Sequence, residues 1–249
     1  MQKEIERNFD KVAKNGSYDD SASIQKDSVK LLVEIFEGFV ESLNDLKIEK
    51  ILDIGAGTGF ATEHLLQKYS NAFYHLNDIS KEMLKISSSQ FKQNNFSLIH
   101  GDIEKIHLKD SYDLIISNFA FQWLENLERL LKDIFVKKIT KYIIFTTLVD
   151  NNFQEINKLF QKYEIETLNY LSSNQLENFM KSQDIKRFFS QKKTYNLEFE
   201  GFSEYAKYIK NIGANFIKNN SQNLKHILRN EKSPILLNYE VYFCCIQVF

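Results

Sequence analysis

The chain has 249 residues, 43% of them hydrophobic and 26% charged, with Lys+Arg 32 against Asp+Glu 33. That length and apolar content supply a full core for one large domain, and a formal charge of -1 argues against a protein built mainly to hold nucleic acid. No apolar stretch approaches the ~18 residues of a membrane-spanning helix, and MQKEIERNFDKVAK does not resemble a signal peptide. The two cysteines, Cys244 and Cys245, are adjacent, which offers neither a disulfide framework nor a metal-ligand spacing. A reducing cytoplasm is the expected compartment.

Residues 1–45 read as a polar arm followed by an amphipathic helix, with Val29, Leu32, Val33, Phe36, Val40 and Leu43 at the three- and four-residue steps of one helical face. Over 46–150 short apolar runs of strand length (ILDIG, AFYHLND, SLIHGD, YDLIISN, YIIFTTL) alternate with helical patterns at 60–69, 81–92 and 127–139. Buried strands separated by amphipathic helices predict an α/β fold with a mostly parallel sheet covered on both faces. Past Leu148 the pattern turns helical, and 151–193 and 201–235 are expected to form a helical cap over one rim. Two final strands, at 194–200 and 238–249, complete the sheet, and the whole of 1–249 reads as a single domain.

In open α/β sheets a ligand sits beyond the carboxyl ends of the strands. Here the first strand ends in Asp53-Ile54-Gly55-Ala56-Gly57-Thr58-Gly59, the second at Asp78, the third at Asp102 and the fourth at Asn118. One short polar residue at a strand end is an ordinary turn or cap; four in succession after a glycine loop point to a binding crevice. Glycines at 55, 57 and 59 let the backbone turn sharply and a ligand lie against it. Phe60 stands where the dinucleotide fingerprint wants a glycine. Asp78 lies at the distance where an acid meets a ribose hydroxyl pair, a feature shared by dinucleotides and S-adenosylmethionine.

DIGAGTG, with its acid before the glycines, resembles motif I of class I S-adenosylmethionine-dependent methyltransferases. NDIS-KEML at 77–84, GDIE at 101–104 and SNFAFQWLENLERLL at 117–131 resemble their later loops. A narrower resemblance, carried by Phe9, YDDSASIQ, SNFAFQW, FTTLVDNNFQEI, IKNIGAN and LNYEVYFCCIQ, is to the malonyl-acyl-carrier-protein O-methyltransferases of biotin synthesis. It implies the Rossmann-like fold and S-adenosylmethionine as cofactor. Asp53, Gly55, Ala56, Gly57 and Gly59 would form the cofactor loop. Asp78 would bind the ribose, Asp102 the adenine amine and Ile103 the adenine face. Asn118 would present a carbonyl or amide to the methionine portion, and Tyr18 and Gln25 would close over the cofactor from the arm. Trp123 reads either as a substrate wall or as a core anchor.

The implied reaction is methyl transfer to the free carboxylate of a malonyl thioester, which is ionised near neutral pH and needs no general base. The five histidines therefore carry no catalytic assignment, and no catalytic side chain or metal is expected. Specificity calls for a positive partner for that carboxylate. Lys210 and Arg7 are the candidates, each with a solvated surface role as the alternative. The partner would be an acidic carrier protein, and residues 181–232, with eleven Lys/Arg against five Asp/Glu, form a basic cap suited to it. Nucleic acid and membrane are not expected partners. The competing readings are a carboxyl methyltransferase for a small tricarboxylic acid, a non-catalytic cofactor-binding module, and an NAD-linked dehydrogenase.

Overall fold

The computed structural model describes residues 2–42, 46–91, 95–165, 167–214 and 221–249, with the backbone alone for 221–224. Leu43, residue 92 and Asn215, each part of an expected element, lie outside the described residues. Three helices come first: α1 (Gln2–Asn15), α2 (Ser17–Ser21) and α3 (Ser23–Val40). The polar arm is thus itself helical, with Ile5 and Val12 of α1 buried on one side. In α3 the predicted face, Val29 to Val40, is buried throughout.

The core then alternates as its sequence predicts: β1 (Lys50–Ile54), α4 (Phe60–Leu66), β2 (Phe73–Asp78), α5 (Lys81–Gln90), β3 (Phe96–His100), β4 (Tyr112–Asn118), α6 (Leu127–Val136) and β5 (Thr140–Leu148). The remainder gives α7 (Gln154–Lys162), α8 (Ser173–Lys181), β6 (Arg187–Phe199), α9 (Phe202–Asn211), α10 (Ser221–Asn230) and β7 (Ile235–Gln247). Among the described residues seven strands form one sheet in the order β3-β2-β1-β4-β5-β7-β6. The first five run parallel, whereas β7 pairs antiparallel with both β5 and β6.

Side chains alternate faces along each strand, and both faces are apolar. Ile51, Leu76, Leu114, Ile116, Ile144 and Phe243 bury against α3. Leu52, Ile54, Ile115, Ile143, Phe145 and Tyr242 bury on the other side against Leu131, Ile134 and Phe135 of α6. This is why the core strands read as continuous apolar runs rather than as alternating ones. No described helix is long and apolar enough to cross a membrane.

Two expectations change. Strand β6 begins at Arg187, seven residues before the expected start at 194. It is an edge strand with mostly exposed or half-buried positions, so its lysine-bearing first half lacks an apolar strand pattern. Helix α8 does not sit over the rim. Its Leu176 and Met180 bury with α6 and β7, and Phe179 stacks on Phe135 at 6.3 Å between ring centroids. The cap over the crevice is built instead from α7, α9, α10 and the upper ends of β6 and β7, where Ile156, Phe160, Phe199, Phe202, Tyr205 and Ile227 share a cluster.

Because Leu176 is fully buried, Leu176→Ala should cost about 2–5 kcal/mol in urea unfolding. Cofactor affinity, measured by calorimetry, should stay within about twofold of wild type, since Leu176 does not line the crevice.

Candidate active site

The order of strands reverses between β1 and β4, and the loops leaving those two strands diverge to open a crevice at their carboxyl ends. The turn after β1 is held by backbone donors: the N–H groups of Gly55 and Ala56 both donate to the Asn77 carbonyl, each at 2.8 Å. Gly55, Gly57 and Gly59 have φ of 71°, 55° and 106°, a region costly for residues with a Cβ. Their surroundings differ. A Cβ on Gly55 would lie 2.2 Å from that of Ala120, and one on Gly59 would strike the Phe91 ring at 2.5 Å. In front of Gly57 the nearest atom is its own loop's Gly55 oxygen at 4.0 Å. The first and third glycines therefore serve packing, and the second leaves its space to a ligand.

Asp78 ends β2 with both carboxylate oxygens engaged by backbone donors. Oδ2 accepts from Gly57 N at 2.8 Å and Oδ1 from Ser80 N at 2.7 Å. Each oxygen retains a lone pair toward the crevice that Asp78 lines. Asp53 lies beneath the loop, 1% exposed. Its Oδ2 accepts from Thr62 Oγ1 at 2.7 Å, while Oδ1 is buried without a partner. Burial pushes the Asp53 carboxyl from its ordinary 3.8 up to about 7 and that of Asp78 up to about 6. Asp102 caps a short 3-10 turn by accepting from Glu104 N at 3.0 Å and pairs with Lys105 at 2.7 Å. Ile103 in that turn is buried and lines the crevice.

The side chain of Asn118 is held at both ends. Its Nδ2 donates to the Gln25 carbonyl at 3.0 Å, and its Oδ1 accepts from Thr146 Oγ1 at 2.7 Å. Its backbone and the second Nδ2 hydrogen remain for a ligand in the crevice that Asn118 lines. The next residue, Phe119, has φ of 54°, a strained turn of the kind that collects at functional sites, and it swings 119–124 across the opening. Gln25 lines the crevice with its Oε1 buried and unpartnered.

The helical arm roofs this half. Tyr18 stacks on Phe60 with centroids 6.0 Å apart, and Phe9 meets Tyr18 and Trp123 edge-on at 6.4 and 6.1 Å. Thr58 Oγ1 donates to Asp19 at 2.8 Å, and Ser80 Oγ donates to Asp10 at 2.6 Å. These two bonds tie α1 and α2 to the loops after β1 and β2. Trp123 is a wall of the crevice, next to the Gln2 amide that donates to its carbonyl.

Of the residues predicted from sequence, Tyr18, Gln25, Gly55, Gly57, Asp78, Asp102, Ile103, Asn118 and Trp123 line one crevice. Asp53, Ala56 and Gly59 support it from behind. Arg7 and Lys210 are not brought there. Arg7 lies on the outer face of α1 beside Lys3, Lys11 and Lys14, and Lys210 is exposed on α9, whose Tyr205 and Ile209 face inward. A helical period of 3.6 puts these charges on the opposite side from the apolar stripe that packs. Sequence reasoning missed the far half of the crevice, walled by Phe153, Asn157, Phe160, Tyr170, Tyr205 and Tyr239. The only signal was an unusual density of aromatic residues, 12 Tyr and 21 Phe, which does not say which of them meet.

The crevice suits S-adenosylmethionine. A buried acceptor in its lining, Gln25 Oε1, lacks a donor, open space faces Gly57, and a carboxylate at the end of β2 has lone pairs for a ribose. A methyltransferase-domain profile matches residues 52–136. The fold and site thus define a class I, Rossmann-like methyltransferase, whose cofactor is S-adenosylmethionine. The plantazolicin methyltransferase BpumL, solved in complex with SAH, shares the fold at a TM-score of 0.58 and 17% identity, over 98% of this chain and 95% of that one. A malonyl-[acyl-carrier protein] O-methyltransferase of Neorickettsia risticii is 31% identical over 243 residues, 96% of this chain and 94% of the relative. A second such protein, from Ilyobacter polytropus, is 33% identical over 253 residues, covering 97% and 91%. The chain belongs to the malonyl-[acyl-carrier protein] O-methyltransferase family.

A cationic cofactor in the crevice would favour the ionised forms of Asp78 in its wall and of Asp53 beneath it, so binding should release protons between about pH 6 and 7 and tighten as pH rises through that window. The sign for folding is opposite. Carboxyls raised to about 7 and about 6 contribute stability that is present at low pH and lost as pH climbs through those values. Calorimetry at pH 6.5 in buffers of different ionisation enthalpy measures the released protons, and Asp53→Asn should reduce their number.

Proposed function

We propose that the chain transfers the methyl group of S-adenosylmethionine to the free carboxylate of a malonyl thioester carried by an acyl carrier protein, giving the methyl ester. The observation that carries this reading is the match to relatives of that name along nearly the whole chain, arm and cap included, rather than along the cofactor loops alone.

When bound, the cofactor supplies an electrophilic methyl on a positively charged sulfur. The chain's part is to hold and enclose. Asp78 binds the ribose hydroxyls through its remaining lone pairs, and Ile103 and Asp102 meet the adenine. The backbone of Asn118 and the orphaned Gln25 Oε1 accept from the methionine end. Tyr18, stacked on Phe60, closes the roof. Burial and nearby carboxylates push the Tyr18 hydroxyl well above its ordinary range, which keeps it a neutral donor and unsuited to act as a base. No base is required, because the substrate carboxylate is already ionised. Alignment of oxygen, methyl carbon and sulfur is the remaining task, and orientation of this kind supplies up to ~7–11 kcal/mol in favourable cases.

Mass spectrometry of malonyl-carrier protein incubated with the enzyme and S-adenosylmethionine tests the reading, with the gain of one methylene expected. Methylation of a free small diacid and none of the thioester would instead support the small-acid alternative.

Docking of the carrier on the basic region 181–232 is part of the proposal, with its geometry refined. Arg187 pairs with Gln247, which lies opposite Tyr142 near the start of β5. Six residues separate Tyr142 from Leu148, about 20 Å along the strand, so Lys186 and Arg187 stand at the opposite end of the sheet from the crevice. The Arg187 side chain is also used internally, donating to Phe39 O at 2.8 Å with its guanidinium 4.4 Å above the Phe39 ring. Lys207, Lys210 and Lys225, exposed on α9 and α10, are better placed. Reversing these three to Glu should raise KM for malonyl-carrier protein about tenfold or more while leaving malonyl-pantetheine within about twofold. Reversing Lys186 should change neither.

A further inference from the structure

The chemistry of the far half of the crevice is distinctive. Three tyrosines reach it from three elements: Tyr170 from the segment before α8, Tyr205 from the first turns of α9, and Tyr239 from β7. Their rings are held by aromatic contacts, edge-on for Tyr170 and Tyr239 and tilted for Tyr205. Phe153 lies 4.7 Å from Tyr239 and 6.1 Å from Tyr170, and Phe160 lies 6.5 Å from Tyr205. The hydroxyls are near enough to raise one another, Tyr205 beside Tyr170 and Tyr208, and Tyr239 beside Tyr208 first and then Tyr205 and Tyr170. All three line the same half of the crevice. Asn157 adds a polar group to the same wall. The surrounding surface is apolar, from Leu148, Ile156 and Ile209, and no Lys or Arg stands among the described residues lining the crevice.

We propose that the acid end of the acyl substrate is received by the hydroxyls of Tyr170, Tyr205 and Tyr239, a cluster of neutral donors that takes the place of a cationic side chain. The inference rests on the malonyl-thioester reading above and assigns the residues that make it specific for a free carboxylate. A carboxylate has lone pairs on both oxygens. Hydroxyl donors can occupy one oxygen and the outer lone pairs of the other while leaving a lone pair to attack. A bidentate guanidinium would engage both oxygens and draw density from the nucleophile. Burial raises all three hydroxyls above the ordinary tyrosine value, so they remain protonated donors over the working pH range. The aromatic walls fix the donors in advance, which lowers the entropic cost of orienting the acid.

The test uses full-length protein saturated with S-adenosylhomocysteine and measures binding of malonyl-pantetheine and of its methyl ester by calorimetry. Tyr170→Phe, Tyr205→Phe and Tyr239→Phe should each raise Kd for the acid about tenfold, the loss of one hydrogen bond to a charged group. The ester's Kd should move less than about twofold, as should that of S-adenosylhomocysteine, and Tm should stay within about 4 °C of wild type. A purely structural role would weaken acid and ester alike, and that result overturns the proposal. Retention of acid affinity in the triple Phe variant would also overturn it. So would a tenfold loss in Lys218→Met, a cation in the segment 215–220 outside the described residues. Methylation of malonyl thioester by the wild type alongside any of these results leaves the proposed function standing. Failure of the wild type to bind the malonyl acid overturns both.

Discussion

The close approach of the loop after β1 to the loop after β4 governs the site. These strands are neighbours at the point where strand order reverses, so their loops leave in opposite directions, yet Gly55 packs against Ala120 with no room for a side chain between them. That contact sets the floor of the crevice. It fixes where Gly57 opens toward a ligand, where the committed Asn118 side chain holds its own backbone, and how Phe119 turns across the mouth in a left-handed conformation. The Gly57 N–H bond to Asp78 couples the same floor to the end of β2, so the loops after three strands form one rigid cradle.

The cradle concentrates negative charge in a dry place. Beyond the effect of burial, Asp78 raises Asp53 and Asp10 raises Asp78, and no Lys or Arg pairs with either carboxylate among the described residues. Such an arrangement is costly in the unliganded protein, and the cost is recovered when a positively charged cofactor enters. The arm contributes on the same terms. It is tied by Asp10 and Asp19 to hydroxyls on the cofactor loops, and it covers the crevice with Phe9 and Tyr18. Exclusion of water strengthens each of these interactions.

The two halves of the crevice then have opposite electrostatic characters. The half at the parallel strands is acidic and rich in backbone donors, suited to a cationic nucleotide. The half under α7 and α9 is neutral and aromatic, with hydroxyls instead of charges, suited to a thioester chain with a carboxylate end. Among the described residues lysines stay outside, on the surface of the same helices whose inner faces wall the crevice. In the docking proposed above, a negatively charged carrier would be attracted to the cap without any of those lysines entering the site and competing for the nucleophile.

Much of this was legible in the amino-acid order alone. Apolar runs spaced by amphipathic segments predicted the parallel core, since burial on both faces leaves no alternation in the strands. The motif DIGAGTG with Asp78, Asp102 and Asn118 located the rim of the crevice, because each of those signals is local: a glycine permits a turn where it stands, and a polar strand end marks its own rim. Tertiary structure alone decided the rest. The strand order, the antiparallel entry of β7 and the seat of α8 beside α6 depend on which surfaces meet at long range. The same holds for the outward turn of Arg7 and Lys210 and the inward convergence of Tyr170, Tyr205 and Tyr239. A charge or a hydroxyl on a helix or strand has no fixed address until packing chooses which face is buried, and that choice belongs to the whole chain rather than to any segment of it.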